Sequence, residues 1–329
     1  MTTSSLPDYN RLNLNYRQPM PRPKVHGKVI DFHCHLLGVR HAAAWFAAAD
    51  HYGIDAFITM MQLEEAMTLY RDWGHRLHFI AVPAWQQVVA DPIDDYMRRL
   101  EAFYNIGSRI FKFHCAPETM VRRSWTLDSP KLRPIIEEAK ARKMGIMTHI
   151  GDPDTWYAGK YSDAAKYGTR QQHYQMWENV MGDFPDIPWI GAHMGGNPED
   201  LTRLQGLLDK YPNLSLDCSA TKWVARSLSA QRNAARDFFI RNQDRLIFGS
   251  DQVSTDDRNY DFYASRFWVQ RKMWETAYIG PSPILDGDFP PDAQPQLRGL
   301  ALPDEVLQKL YHDNAVNYLR RVGMQTDFM

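Results

Sequence analysis

The sequence predicts an α/β fold: eight parallel strands closed into a (β/α)8 TIM barrel, with an N-terminal arm and a long insertion after strand eight. Three observations carry this reading. Short apolar runs alternate with amphipathic stretches eight times, the repeat averages close to thirty residues, and histidines recur at the carboxyl ends of the runs. At 329 residues the chain is long for one domain but ordinary for a barrel. Lys+Arg (38) and Asp+Glu (39) balance to a formal net charge of −1, which removes the electrostatic footprint of a nucleic-acid or anionic-membrane binder. With 44% apolar and 23% charged residues, the composition excludes wholesale disorder. Cys34, Cys115 and Cys218 cannot all pair and form no CxxC, so a disulfide scaffold is not expected.

Residues 1–27 contain Pro7, Pro19, Pro21 and Pro23 without apolar periodicity, and read as an arm that is either disordered or wrapped on a neighbour. The opening MTTSSLPDYN has neither a basic nor an apolar signal region, and the longest apolar stretch, 42–49, is far too short to cross a bilayer. The expectation is a cytoplasmic protein. From residue 28 to 329 the chain reads as one barrel domain. Candidate buried strands are 29–33, 56–60, 78–82, 109–113, 146–149, 189–193, 214–217 and 246–249. Helical stretches between them include 62–73, 93–104, 132–142 and 198–210, several ending in Gly or Pro before the next strand. The runner-up is an open doubly wound sheet, but the segment after the first strand, His33-Cys34-His35-Leu36-Leu37-Gly38, lacks the GxGxxG turn. Residues 252–302 break the rhythm. They hold an aromatic helix-like stretch (260–274) and a Pro-rich segment, read as an insertion over the barrel mouth or at a subunit contact.

The chemistry is carried by strand ends, because residues at the carboxyl ends of barrel strands face the active site. His33 and His35 lie two apart and point to the same side of an extended strand. His149, His193 and Asp251 end later runs. His149 lies 116 positions after His33, or 29 per unit over four units; Asp251 lies 58 after His193, again 29 per unit. The step from His149 to His193 is longer, placing an extra loop at 151–169 with Trp156, Tyr157, Tyr161 and Tyr167. Three imidazoles and a carboxylate converging suit Zn²⁺ and accept Mn²⁺ or Fe²⁺. Lys112 and His114 share a face of strand four: Lys112 as an ion-paired or anion-binding amine, His114 as a donor behind the site, a substrate contact or a packed residue. The loops add Trp85, Arg122, Arg123, Trp125, Trp156, Tyr157, Lys222, Trp223, Arg226 and Arg258. Trp85, His114, Arg122, Trp156 and Tyr157 are the candidate substrate contacts, suited to an acidic, cyclic or aromatic substrate. Cys34 and Cys115 read as small apolar residues.

The segments Asp31-Phe32-His33-Cys34-His35, Thr148-His149, Gly191-Ala192-His193-Met194-Gly195-Gly196, Phe248-Gly249-Ser250-Asp251 and Tyr311-His312-Asp313-Asn314-Ala315 resemble the amidohydrolase superfamily. The likeness is to the amidohydrolase-2 branch that includes aminocarboxymuconate-semialdehyde decarboxylase-like enzymes, and it spans residues 28 to about 321. The resemblance implies that His33, His35, His149 and Asp251 hold one divalent metal, with Zn expected. It implies that His193 is catalytic, together with Asp251, or that His193 and a carboxylated Lys112 bind a second ion. The single-ion version is favoured. The implied activity is hydrolysis of an amide, lactone, ester or thioester by a metal-activated water. The alternative is non-oxidative decarboxylation with the same ligands. A small-molecule substrate, no nucleic acid or membrane partner, and a homodimer complete the expectation.

Overall fold

A computed structural model of the chain describes residues 7–84 and 91–327. Eight parallel strands alternate with helices: β1 (Ile30–His35), β2 (Ala56–Met60), β3 (Leu77–Ile80), β4 (Ile110–His114), β5 (Gly145–His149), β6 (Trp189–Gly191), β7 (Leu214–Asp217) and β8 (Leu246–Ile247). They form two ladders, β3-β2-β1 and β4-β5-β6-β7-β8. Backbone hydrogen bonds join the ladders at both seams. Ala81 N donates to Ile110 O at 2.8 Å and Lys112 N donates to Ala81 O at 2.9 Å. Phe32 N donates to Phe248 O at 3.0 Å, and β9 (Gln252–Val253) continues the eighth strand alongside Cys34 and His35. The protein is a (β/α)8 barrel.

The strands form where the sequence offers continuous apolar runs, because a barrel strand is covered on both faces. Ala56–Met60 and Leu77–Ile80 are buried at every position. The helices bury one stripe each. Pro92–Asn105 starts at an Asp91 cap that accepts from Ile93 N and Asp94 N, and it buries Tyr96, Leu100 and Phe103.

Three of the expected strands are shorter in the structure; strand three stops at Ile80, with Ala81 left as a single bridge to Phe111, and strands six and eight lose two residues each. Strand six stops at Gly191, because His193, Met194, Gly195 and Gly196 all take positive φ (55°, 55°, 62° and 71°). This left-handed run turns the chain sharply and carries His193 across the barrel end. Left-handed backbone at two non-glycine residues is held against strain by its surroundings. Strand eight stops at Ile247, and Asp251 is also left-handed (φ 55°). Gly249 lets this segment approach β1, since a Cβ there would lie 2.8 Å from the Cβ of His33.

The Tyr311–Ala315 motif anchors the same strand. Phe248 N donates to Leu310 O at 3.0 Å, Asn314 Nδ2 donates to Gln243 O and Leu246 O at 2.6 and 2.7 Å, and the Tyr311 ring packs edge-on to Phe248.

The insertion holds the helix Tyr260–Glu275 and a hairpin of β10 (Ile279–Pro281) and β11 (Gln296–Arg298). Tyr263, Phe267 and Trp274 are buried in the core, and Tyr260, Phe262 and Trp268 pack against it partly exposed. The described part of the N-terminal segment lies along this insertion. Leu285 N donates to Asp8 O at 2.6 Å, Arg11 Nε to Ser282 O at 2.6 Å, and Arg271 Nη1 to Pro21 O at 2.6 Å. Among the described residues, no helix is long and apolar enough to cross a membrane.

Candidate metal centre

Both His33 and His35 project from β1, and Asp251 follows β8, so closure of the barrel brings all three together. One carboxylate oxygen of Asp251 faces both imidazoles, 3.3 Å from His33 Nε2 and 3.2 Å from His35 Nε2. One ligand atom from each lies within 4.8 Å of the others. Behind them, Asp217 at the end of β7 fixes the fully buried His33 ring, its Oδ2 lying 2.9 Å from His33 Nδ1. Lys112 Nζ stands 3.1 Å from His33 Nε2.

A second arc of strand ends completes the ring. His193 N donates to Asp217 Oδ1 at 2.9 Å, and His193 Nδ1 lies 2.7 Å from Ser219 Oγ. The His193 ring centre is 4.7 Å from that of His33 and 4.6 Å from that of His149. His149 Nε2 is 3.0 Å from Asp152 Oδ1. His114 Nδ1 lies 2.8 Å from Thr119 Oγ1, and its ring is 4.5 Å from His149. The five strand-end residues therefore share one end of the barrel, but His149 is outside the close group formed by His33, His35 and Asp251.

Burial and neighbouring groups set the charges. Burial lowers His35 to about 4 and pushes His193 and His114 well below the ordinary histidine range, so these imidazoles are neutral at pH 7. Burial opposes ionisation of Asp251, but His193 and the hydrogen bond from His35 overcome it and hold the carboxylate well below its usual range. Asp217 is also depressed against burial, through His33. Burial lowers Lys112 to about 8. Asp31 is the exception among the carboxyl groups: burial raises it to about 7 although Ser250 N and Oγ donate to it at 2.9 and 2.5 Å. Neutral imidazoles facing an ionised carboxylate are the donor chemistry of a divalent transition-metal site, so the residues fit the ion that the sequence implies.

A family model described as Amidohydrolase matches residues 26–321. The chain belongs to the amidohydrolase family. Three solved structures share its fold. The 5-carboxyvanillate decarboxylase of Sphingomonas paucimobilis is 11% identical, with a TM-score of 0.52 over 91% of this chain and 99% of that one. A 2,6-dihydroxybenzoate decarboxylase complexed with 2,6-dihydroxybenzoate is 12% identical, with a TM-score of 0.53 over 90% and 99%. The 5-carboxyvanillate decarboxylase of Novosphingobium aromaticivorans, complexed with manganese and 4-hydroxy-3-methoxy-5-nitrobenzoic acid, is 13% identical, with a TM-score of 0.51 over 92% and 99%. A comparison with curated proteins finds no match.

The mouth of this amidohydrolase has two lobes. One, of about 260 Å³, is lined by His35, Leu37, Tyr96, His114 and Arg122 among others. The other, of about 520 Å³, reaches Asp251 and is lined by Trp156, Trp223, Arg258 and Phe262 among others. Of the expected substrate contacts, His114 and Arg122 line the first lobe and Trp156 the second. Tyr157 does not line either lobe: its hydroxyl lies 2.6 Å from His173 Nδ1. Arg226 is committed to Asp286 and Asp288 at 2.6 and 2.9 Å, and Trp156 Nε1 donates to the same Asp288 at 3.0 Å, which ties the loop after β5 to the insertion. Trp85 lies outside the described residues.

Sequence reasoning missed Asp217, Ser219 and Asp152. Asp217 carried a usable signal, being a carboxylate at the carboxyl end of an apolar run. The other two gain meaning only from the partners they meet after β7 and β5.

Proposed function

We propose that this amidohydrolase is a metal-dependent, non-oxidative decarboxylase of a small cyclic or aromatic carboxylic acid. The observation that carries the reading is the group of His33, His35 and Asp251 opening onto a mouth walled by aromatic rings and cations. Hydrolysis at the same ligands was the first expectation from the sequence. Decarboxylation is better supported, because Arg122 and Arg123 beside His114 suit a substrate that enters as a carboxylate, and because the fold matches a 5-carboxyvanillate and a 2,6-dihydroxybenzoate decarboxylase.

His33, His35 and Asp251 would hold one divalent ion, with His149 as a further donor whose other ring nitrogen rests on Asp152. Bound there, such an ion supplies positive charge that holds a substrate oxygen and stabilises negative charge as the carbon–carbon bond breaks. Zn and Mn both suit these donors, and one similar structure contains manganese. A single ion is favoured over two. In the other close group, His33, His193 and Asp217, both carboxylate oxygens of Asp217 are engaged in hydrogen bonding, Oδ2 with His33 Nδ1 at 2.9 Å and Oδ1 with the backbone N–H groups of His193 and Ser219 at 2.9 and 3.1 Å. Lys112 then serves as an unmodified amine against His33.

The remaining steps belong to side chains. Ser219 and Asp217 fix His193, which presents its free nitrogen to the substrate as a hydrogen-bonding group. Arg122 and His114 bound the side of the substrate away from Asp251. As CO₂ leaves, the bonding electron pair stays on the ring carbon and takes up a proton there. That proton comes from solvent: Asp251, ionised at rest and set between His33 and His35, would accept it from water and pass it to the carbon. Trp156 and Trp223 cover the other lobe and limit access of water.

The test uses metal-loaded protein and a panel of hydroxylated benzoates in D₂O. The proposal expects CO₂ release with one deuterium at the carbon that lost it. Hydrolysis of lactones or esters with ¹⁸O uptake from water, and no CO₂ from any acid, would overturn it. Metal analysis should give one ion per chain; two would overturn the single-ion assignment.

A further inference from the structure

The lobe beside Asp251 carries cations that the chemistry above does not use. Lys222, Arg258 and Arg266 all line this cavity of about 520 Å³, and Asp8 and Asp251 are its carboxylates. None of the three cations has an ion-pair partner within 4.0 Å among the described residues, whereas Arg226, next to them, is bound to Asp286 and Asp288. Arg258 and Arg266 are held in place without being neutralised. Their guanidinium carbons lie 4.4 and 3.4 Å from the centre of the same Phe262 ring. Arg266 Nη1 donates only to neutral partners, Phe262 O at 3.2 Å and Ser265 Oγ at 2.9 Å, and Arg258 donates to Val253 O.

Two half-buried guanidinium groups on one ring repel each other, and burial followed by the charge of Arg258 lowers Arg266 from its ordinary value. With Asp251 given to the ion, Asp8 is the one carboxylate left lining the lobe with the three positive charges; the exposed Asp257, which Arg258 also acts on, lies outside the lining and makes no ion pair with it. An arrangement of this kind is relieved by an anion, and guanidinium groups match a carboxylate in shape and charge. The lobe is large enough for a ring substituent.

We infer that Arg258, Arg266 and Lys222 form a subsite for a second acidic group of the substrate, so that the preferred substrate is a cyclic or aromatic diacid. One carboxylate goes to the centre and the other to the cations of the lobe. This inference rests on the decarboxylase reading of the same centre, but its test does not depend on turnover. The probes are benzoate and isophthalate, titrated by calorimetry into metal-loaded protein. Isophthalate should bind roughly 10- to 100-fold more tightly than benzoate. Arg266→Gln should remove most of that difference and leave benzoate unchanged, and Arg266→Lys should restore part of it. Arg258→Gln and Lys222→Gln read the same difference should Arg266→Gln fail to fold. Equal affinity for the two acids, or a preference that survives all three Gln variants, overturns the subsite. On any diacid that releases CO₂, Arg266→Gln should raise KM and leave kcat in place. A diacid preference without CO₂ from any substrate would sink the decarboxylase reading and leave the subsite standing.

Discussion

The strand ends on the two sides of the barrel mouth are built differently. On the side of β1, β7 and β8, His33 is held from behind by Asp217, and its other nitrogen shares one Asp251 oxygen with His35. On the side of β4 and β5, His149 is turned onto Asp152 and His114 onto Thr119. Each of these histidines lies at or within two residues of the carboxyl end of its strand. What separates them is the partner on the second ring nitrogen, which decides where the first one aims. A strand-end histidine is therefore only a candidate ligand until that partner is known.

The comparison can be broken experimentally. Asp251→Ala removes the carboxylate common to His33 and His35. It should leave less than about a tenth of an ion per chain and lower turnover by roughly 10³-fold, as read by metal analysis and CO₂ release. Asp217→Asn keeps the shape but weakens the hold on His33. Metal affinity, measured by chelator competition, should fall about 10- to 100-fold. Asp152→Asn acts on the other arc and should cost less than about tenfold in the same assay; a loss equal to that of Asp217→Asn would erase the distinction between the arcs.

A further effect lies outside both arcs and acts on stability rather than on the metal. His78, at the foot of β3, is buried and lowered to about 4, by burial first and Arg109 second. An unfolded chain protonates this histidine near 6.5, the folded one only near 4. Stability is therefore retained above pH 6.5 and lost as pH falls from 6.5 toward 4, by at most about 3 kcal/mol. His78→Gln should flatten that part of the melting-temperature profile.

The barrel was legible because its cause is local. A strand covered on both faces must be apolar throughout, and a helix must show one stripe, so alternation at about thirty residues is written directly in the chain. The i, i+2 spacing of His33 and His35 was legible for the same reason. Strand six misled at its end because the left-handed turn at His193 and Met194 depends on packing rather than on residue type, and neither residue favours positive φ. Tyr157 misled because a residue in the right loop can still turn its hydroxyl to a helix behind it, here to His173.

By itself, the sequence determined the fold, which follows from periodicity and residue type along each segment, and its motifs resembled the family that the chain belongs to. Tertiary structure alone decided that Asp217 supports His33, that Asp152 takes His149, that Arg226 is neutralised and that Arg258 and Arg266 are not. Those outcomes depend on which groups from distant segments come within hydrogen-bonding distance, and such distances are fixed only when the barrel closes and its loops pack over the mouth.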